Sequence, residues 1–460
     1  MIKDLFAAFA RHAMGLVAGL LSFALVGRVL GSHALGAWAI LGTLAFLLGL
    51  ADLGTSTAVQ RAEARGEPVD RAFGLALASV VVTGPVFALL SLYGLPVPAL
   101  PAFVVALAGL CFAYGFPARA LLLVRGRLAD LAWAKSGGAF AQVVVTCATL
   151  LFHRDLVSPA LGALAGAVVE LWWVLRALRR VEPGLSLLPR WAPGARAIFA
   201  EGAASLVLNL SVVLAVRIDV FVLGRVAPLT VVAAYGVAAR AVDQSYVLAK
   251  QASAALLSRI VHGGERRAQV VTEGARALGV LVASGMAALA HVGPVLLAAW
   301  VGKESIGEAT HVALALLGLA ASIAAIHDIP ASALSLAGKT PWAATRAIGF
   351  GAMVNVLVSV AFARAYGAFA VAFGTVAGNA VTCALVFAAS RGKEGPVLRE
   401  IVPPVLAAAT AAHVVGFASA RYATTFPLAA AAALVVVLSG FLAALPFVLR
   451  ASPERVQEPA

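Results

Sequence analysis

Pro427–Leu449, PLAAAAALVVVLSGFLAALPFVL, runs for 23 residues without a charge and stops at Arg450. As an α-helix it would rise about 34 Å at 1.5 Å per residue. That crosses the ~30 Å hydrocarbon core of a bilayer, which takes about 20 apolar residues. Working back along the chain, runs of the same kind are bounded by charge clusters or Gly/Pro turns. They lie near 9–30, 36–59, 73–93, 101–123, 131–152, 157–178 and 198–222, then near 230–255, 275–299, 309–336, 342–365, 368–389 and 401–418. The chain is 460 residues long, 62% hydrophobic and 12% charged, with a mean hydropathy of +0.98, whereas soluble domains carry about 25% charged residues. The fold class expected is all-α: a polytopic membrane protein of about 14 transmembrane helices with no sizeable soluble domain.

The net charge of +13 points, in such a chain, to basic cytoplasmic loops rather than to nucleic acid. Sorting the 34 basic residues by these spans puts 23 on the side of the N-terminus, 6 on the other side and 5 within spans or at their edges. Arg61, Arg65 and Arg71 share one basic loop, Arg176, Arg179, Arg180 and Arg190 another, and Arg259, Arg266 and Arg267 a third. The positive-inside rule then places both termini in the cytoplasm. Arg outnumbers Lys 28 to 6, which with heavy Ala and Gly use fits a GC-rich genome and a bacterial cytoplasmic (inner) membrane.

The longest loop, about 179–197, carries Pro183, Pro189 and Pro193 and sits mid-chain, as a linker between two lobes would. An offset of 197 residues lays Val26-Gly27-Arg28-Val29 and Trp38-Ala39 over Leu223-Gly224-Arg225-Val226 and Tyr235-Gly236. Such a repeat makes two six-helix bundles of the kind found in transporters. The expected organisation is an N-terminal lobe over 1–180, a cytoplasmic linker over 181–197, a C-terminal lobe over 198–390, and two further helices with a short tail over 391–460.

Ionisable residues inside the spans carry the functional information: Arg11, Arg119, Arg217, Arg240 and Lys250, with Asp52, Glu170, Asp219, Asp243 and Asp328. At roughly 2.5–3.5 kcal/mol each on the insertion scale, ten isolated groups would cost on the order of 30 kcal/mol. They must therefore pair, snorkel or line water. In the eighth span Arg240, Asp243, Gln244, Val247, Lys250, Gln251 and Ser258 fall on one face. That stripe fits a hydrated central cavity; the alternative is structural pairing, with Arg240 and Asp243 meeting at i, i+3. Arg11 shares a face with Gly15, Ala18 and Ser22, and Asp52 with Thr55, Ser56 and Gln60. For Asp219 a packing role and a coupling role stand side by side.

Other chemistries find no support in the residues. Cys111, Cys147 and Cys383 lie in apolar stretches without CxxC spacing, and His12, His291, His327 and His413 stand isolated in the sequence without metal-ligand spacing. Gly338-Lys339-Thr340 ends like a phosphate loop, but Ala333 stands where its first glycine belongs. No enzyme active site, metal site or cofactor is expected.

Leu30-Gly31, Leu35-Gly36-Ala37-Trp38-Ala39 and Ala51-Asp52-Leu53-Gly54 resemble the first helical hairpin of polysaccharide/O-antigen (lipid-linked oligosaccharide) flippases of the MATE-like MOP exporter superfamily. Arg217-Ile218-Asp219 with Leu223-Gly224, Tyr235-Gly236 and Arg240 resembles that family's seventh and eighth helices. Asn355 with Tyr366-Gly367-Ala368-Phe369-Ala370-Val371-Ala372 resembles its eleventh-to-twelfth turn, with Ala370-Val371-Ala372 in place of the usual Gly-Ala-Ala. The resemblance implies alternating access that carries an isoprenoid-diphosphate-linked oligosaccharide to the outer leaflet in polysaccharide or lipopolysaccharide biosynthesis, driven by an H+ or Na+ gradient. Arg11, Arg217, Arg240 and Lys250 are then the candidate substrate-binding cations. Asp52, Asp219 and Asp243 are candidates for ion coupling or charge balance. The expected partners are the lipid-linked substrate, membrane lipids and other glycan-assembly proteins. The rival readings are a cation-coupled multidrug or small-molecule antiporter of the same superfamily, a lipid II flippase, and a membrane-embedded glycosyltransferase or polymerase.

Overall fold

A computed structural model describes residues 17–92, 96–191, 195–262, 266–337, 342–390 and 398–450; Arg11 and His12 lie outside them. The helices are α1 (17–25), α2 (Gly31–Leu48), α3 (Thr55–Ala64), α4 (Asp70–Leu92), α5 (Ala99–Tyr114), α6 (Phe116–Val124), α7 (Leu128–Leu150), α8 (Val157–Val181), α9 (Ala195–Val226), α10 (Leu229–His262), α11 (Arg267–Val301), α12 (Glu308–Ala337), α13 (Trp342–Ala389), α14 (Leu398–Ala420) and α15 (Phe426–Arg450). No strand occurs among the described residues. Among the described residues, eight helical stretches are long and apolar enough to cross a membrane, and nine if bent α9 is included.

Two of those stretches exceed one crossing. α13 has 48 residues, about 72 Å at 1.5 Å each. It breaks at Gly367, where φ +51° and ψ −127° suit only a residue without a Cβ. Its two halves pack antiparallel through small residues. A Cβ on Gly351 would lie 1.9 Å from Thr382 Oγ1, and one on Gly374 2.5 Å from Ser359 Oγ. The expected spans 342–365 and 368–389 are therefore the two arms of one hairpin. Gly31, at φ +83°, lies within the 36-residue stretch Val17–Asp52. The turn between α9 and α10 holds Pro228.

The chain divides into two compact units, Met1–Val213 with Pro228–Ala233, and Leu214–Ala227 with Ala234–Ala460. In the first, a core of Val59, Phe73, Leu77, Leu121, Leu122, Val174 and Leu178 also takes in Leu185 from the segment after α8. That segment is tied down as a strap: Tyr114 Oη donates to the Leu187 carbonyl at 2.7 Å, and the Arg190 amide to the Gly74 carbonyl at 3.0 Å. At its start Arg125 grips two carboxylates, Glu63 through a bidentate pair of 2.7 and 3.1 Å and Glu182 at 2.5 Å. The second unit seats α14 and α15 on α11, with Ala287, Ala288, Ala412 and Val436 buried between them. There His291 Nε2 and His413 Nδ1 stand 3.0 Å apart, so these two histidines are a pair and not isolated groups. They lie 122 residues apart, and no sequence spacing links them. A Cβ on Gly416 would fall 2.5 Å from His291 Cδ2.

Two predictions follow from this packing. Gly351→Ala should lower stability by about 1–3 kcal/mol through overpacking, whereas Gly285→Ala, where a Cβ meets nothing within 4 Å, should not; thermal unfolding in detergent separates them. The Arg125 guanidinium holds the Glu63 carboxyl below the usual carboxylate range, so their pairing stabilises above the ordinary pKa of about 4.3 and is lost as pH falls through the lowered folded value. The stability gap between the native chain and Glu63→Gln, about 1 kcal/mol at neutral pH, should close below roughly pH 4.

Candidate functional site

In the first unit the helix through residues 31–64 is broken at Asp52. A 3-10 turn over Gly49–Asp52 leads into Leu53 at φ +50° and Gly54 at φ +76°, and α3 restarts at Thr55. Peptide groups freed by the break find side-chain partners. Thr83 Oγ1 donates to the Ala51 carbonyl at 2.6 Å, and Thr55 Oγ1 and Ser79 Oγ to the Asp52 carbonyl at 2.5 and 3.2 Å. The Asp52 carboxylate accepts from the Gly54 amide at 2.9 Å and the Ser56 amide at 3.4 Å. A negative group at the start of a helix is favoured by the macrodipole, so Asp52 here caps α3. Gly54 meets Gly202 of α9 backbone to backbone: a Cβ on it would lie 2.4 Å from the Gly202 carbonyl oxygen.

Arg119 and Glu170 form the first unit's buried ion cluster. Glu170 accepts from Arg119 Nη1 at 3.1 Å and Lys135 Nζ at 3.2 Å. Arg119 also donates to the Phe112 carbonyl and stacks on the rings of Phe112 and Phe116, 4.0 and 4.9 Å from their centroids. Lys135 was not among the embedded cations expected from the sequence.

The second unit gathers the residues of greatest interest. α9 bends by 47° between Ser205–Ala215 and Arg217–Val226, and Asn355 Nδ2 donates to the Ala215 carbonyl at the bend at 3.0 Å. Just beyond it, Arg217 Nη1 lies 2.7 Å from Asp243 Oδ2, with the two side chains 13% and 12% exposed. The partner of Asp243 in this ion pair is Arg217 on a neighbouring helix. Arg240 stands close enough to interact with both Arg217 and Asp243. Two guanidinium groups thus stand beside Asp243, which together with Asp219 and Asp328 also interacts with Tyr246. Lys250 lies on α10 with its side chain outside the described ones.

Asp219, 3% exposed, occupies its own pocket. Tyr235 Oη and Thr375 Oγ1 both donate to its Oδ2 at 2.6 Å. Oδ1 is buried with no hydrogen-bond partner among the described residues, and the Asn355 and Ser359 side chains interact with the carboxylate. Ser359 Oγ donates to Asn355 Oδ1 at 3.1 Å, and only the missing Cβ of Gly374 leaves room for these two groups. The pocket therefore presents carboxylate, amide and hydroxyl oxygens, the hard donors that suit a proton or a small hard cation. Sequence reading missed Ser359 and Thr375. The i, i+4 polar pair Asn355/Ser359 on an apolar helix was the signal available. No group of three or more His, Cys, Asp or Glu side chains placed to hold a metal occurs among the described residues.

Because Tyr235 and Thr375 share one oxygen of Asp219, removing either hydroxyl leaves a donor behind. Tyr235→Phe or Thr375→Val alone should cost about 1.5–3 kcal/mol, and the double variant more than the sum. A double-mutant cycle from thermal unfolding measures the excess, and simple additivity would refute the shared-oxygen account.

No protein-family model and no curated protein matches the chain. Solved structures do. The lipid II flippase MurJ in an inward closed conformation aligns with a TM-score of 0.73 at 14% identity, over 97% of this chain and 98% of that one. An inward-facing multidrug resistance MATE family transporter of the MOP superfamily aligns at 0.56 and 17%, over 83% and 96%. A MOP superfamily transporter from Pyrococcus furiosus, described by the reverse polarity of its binding pocket, aligns at 0.57 and 17%, over 84% and 93%. The fold of this chain is the one these membrane transporters share.

Proposed function

We propose that this protein is a flippase that moves an isoprenoid-diphosphate-linked oligosaccharide across the bacterial cytoplasmic membrane by alternating access, with both termini in the cytoplasm. The observation that carries the reading is the cluster of Arg217 and Arg240 against the carboxylate of Asp243 inside a span. Guanidinium groups are thus held inside the bundle among the carboxylates of Asp219, Asp243 and Asp328, which all interact with Tyr246. A diphosphate crossing a membrane needs such partners, and guanidinium matches phosphate bidentately. End-to-end alignment with a lipid II flippase supports a cargo of the same chemistry. Arg11 and Lys250 belong to the proposal by sequence position. Asp219, in its oxygen-lined pocket, is the residue best placed to exchange H+ or Na+, Asp243 balances the arginines, and Asp52 serves the helix break.

A second reading, a cation-coupled small-molecule antiporter, draws on the MATE alignments and on the same Asp219 pocket. It requires a cationic cargo, for which the carboxylates of Asp219, Asp243 and Asp328 around Tyr246 would be the partners.

The test is surface glycan together with the sidedness of its lipid-linked precursor in a strain lacking the gene. Surface glycan should disappear with intact precursor stranded on the cytoplasmic leaflet, and Arg217→Gln or Arg240→Gln at normal protein level should cut export roughly 10-fold or more, as loss of a charged hydrogen bond does. Cell lysis with stranded lipid II would instead identify lipid II as the cargo. Normal glycan and precursor would sink the flippase and favour the antiporter.

A further inference from the structure

The strap after α8 has two faces. Leu185 is buried in the core of the first unit and Leu187 packs against it, while Tyr114 and Gly74 hold the backbone. Leu188 and Trp191 point the other way and are 66% and 68% exposed. Trp191 touches only the edge of α9, its ring 6.2 Å from that of Phe199. Along the chain on either side of them Arg179, Arg180, Arg190 and Arg196 are all exposed. An anchored segment thus presents two large apolar side chains flanked in the sequence by four exposed cations.

We propose that this face of the strap docks on the anionic phospholipid surface of the adjoining leaflet, with Leu188 and Trp191 at the boundary of headgroups and acyl chains and the four arginines on lipid phosphates. Three observations converge on a lipid surface. Trp is the side chain whose amphipathic ring settles at the membrane–water interface. Arginines flanking an apolar pair are the signature of binding to an anionic leaflet. The strap also leaves the end of one spanning helix, α8, and enters the next, α9, which holds it at interfacial height. The ties of Tyr114, Gly74 and Arg125 make the surface rigid, so docking costs little ordering entropy. This binding does not depend on what the protein carries.

The test uses the full chain with Cys111, Cys147 and Cys383 replaced by serine, carrying a nitroxide at Leu188→Cys or Trp191→Cys. The protein is placed in nanodiscs of phosphatidylcholine alone or mixed equally with phosphatidylglycerol. Both labels should be open to oxygen and shielded from a water-soluble nickel complex, as a label at lipid-exposed Phe140→Cys would be, and more deeply so with phosphatidylglycerol. Replacing the arginines by glutamine should weaken retention of phosphatidylglycerol over phosphatidylcholine by about fivefold per residue. Nickel accessibility equal to that of a label at Glu67→Cys, in an exposed turn, would place the strap in water and overturn the proposal. Burial that ignores both the anionic lipid and the arginines would overturn its electrostatic half. Each labelled position is exposed, and unchanged thermal unfolding confirms that the variants fold.

Discussion

Inside a bilayer no water is available to a peptide group, so each interruption of a helix must be answered by another part of the protein. The locations of the polar side chains follow from that constraint. Where the helix through residues 31–64 breaks, Thr55, Ser79 and Thr83 deliver hydroxyls to the carbonyls of Ala51 and Asp52, and the Asp52 carboxylate takes the amides that α3 leaves open. Where α9 bends, the Asn355 amide reaches the Ala215 carbonyl. Breaks supported in this way belong to the design of the fold. The turn at Gly367 solves a different problem: it reverses the chain with a positive φ that a glycine adopts without strain.

Charges obey the same rule with larger stakes. Glu170 is shared by Arg119 and Lys135, and Arg119 lies between two phenylalanine rings. That cluster is closed, with its groups spent on one another. The second unit differs in kind, because Asp243 meets Arg217 while Arg240 stands beside both, and because one oxygen of Asp219 has no hydrogen-bond partner among the described residues. A buried polar atom left without a partner costs about 1–3 kcal/mol. At Asp219 that atom lies beside the hydroxyls of Tyr235 and Thr375 and the side chains of Asn355 and Ser359.

How much of this the sequence discloses depends on the range of the interaction. The apolar runs are local, and they are mainly helical where they are described, with the run 36–59 broken at Leu53–Gly54 and the two arms of α13 separated at Gly367. The faces of single helices are legible too, since Arg240 and Asp243 do share one. Their partners are not, because periodicity orders residues around one axis and is silent about the neighbouring helix. So Asp243 goes to Arg217, and His291 to His413 across 122 residues. The linker shows the same limit. Its prolines mark a loop, but only the inward Leu185 and the bond from Tyr114 make part of it a fixture of the first unit.

α9 joins these strands of argument. Its first part belongs to the first unit, where Gly202 meets Gly54, and from Leu214 onward it belongs to the second. The 47° bend follows directly after Ala215. At that bend Asn355 spends its amide on the Ala215 carbonyl and its oxygen on Ser359, and the same two side chains interact with the Asp219 carboxylate. The hydrogen bonding that supports the bend and the lining of the Asp219 pocket are therefore one set of atoms. A cation entering that pocket would compete for the Asn355 oxygen, and a proton on Asp219 would change what Tyr235 and Thr375 can donate to. Either event alters the support of the bend. The bend of α9 and the surroundings of Asp219 thus depend on the same two side chains, Asn355 and Ser359.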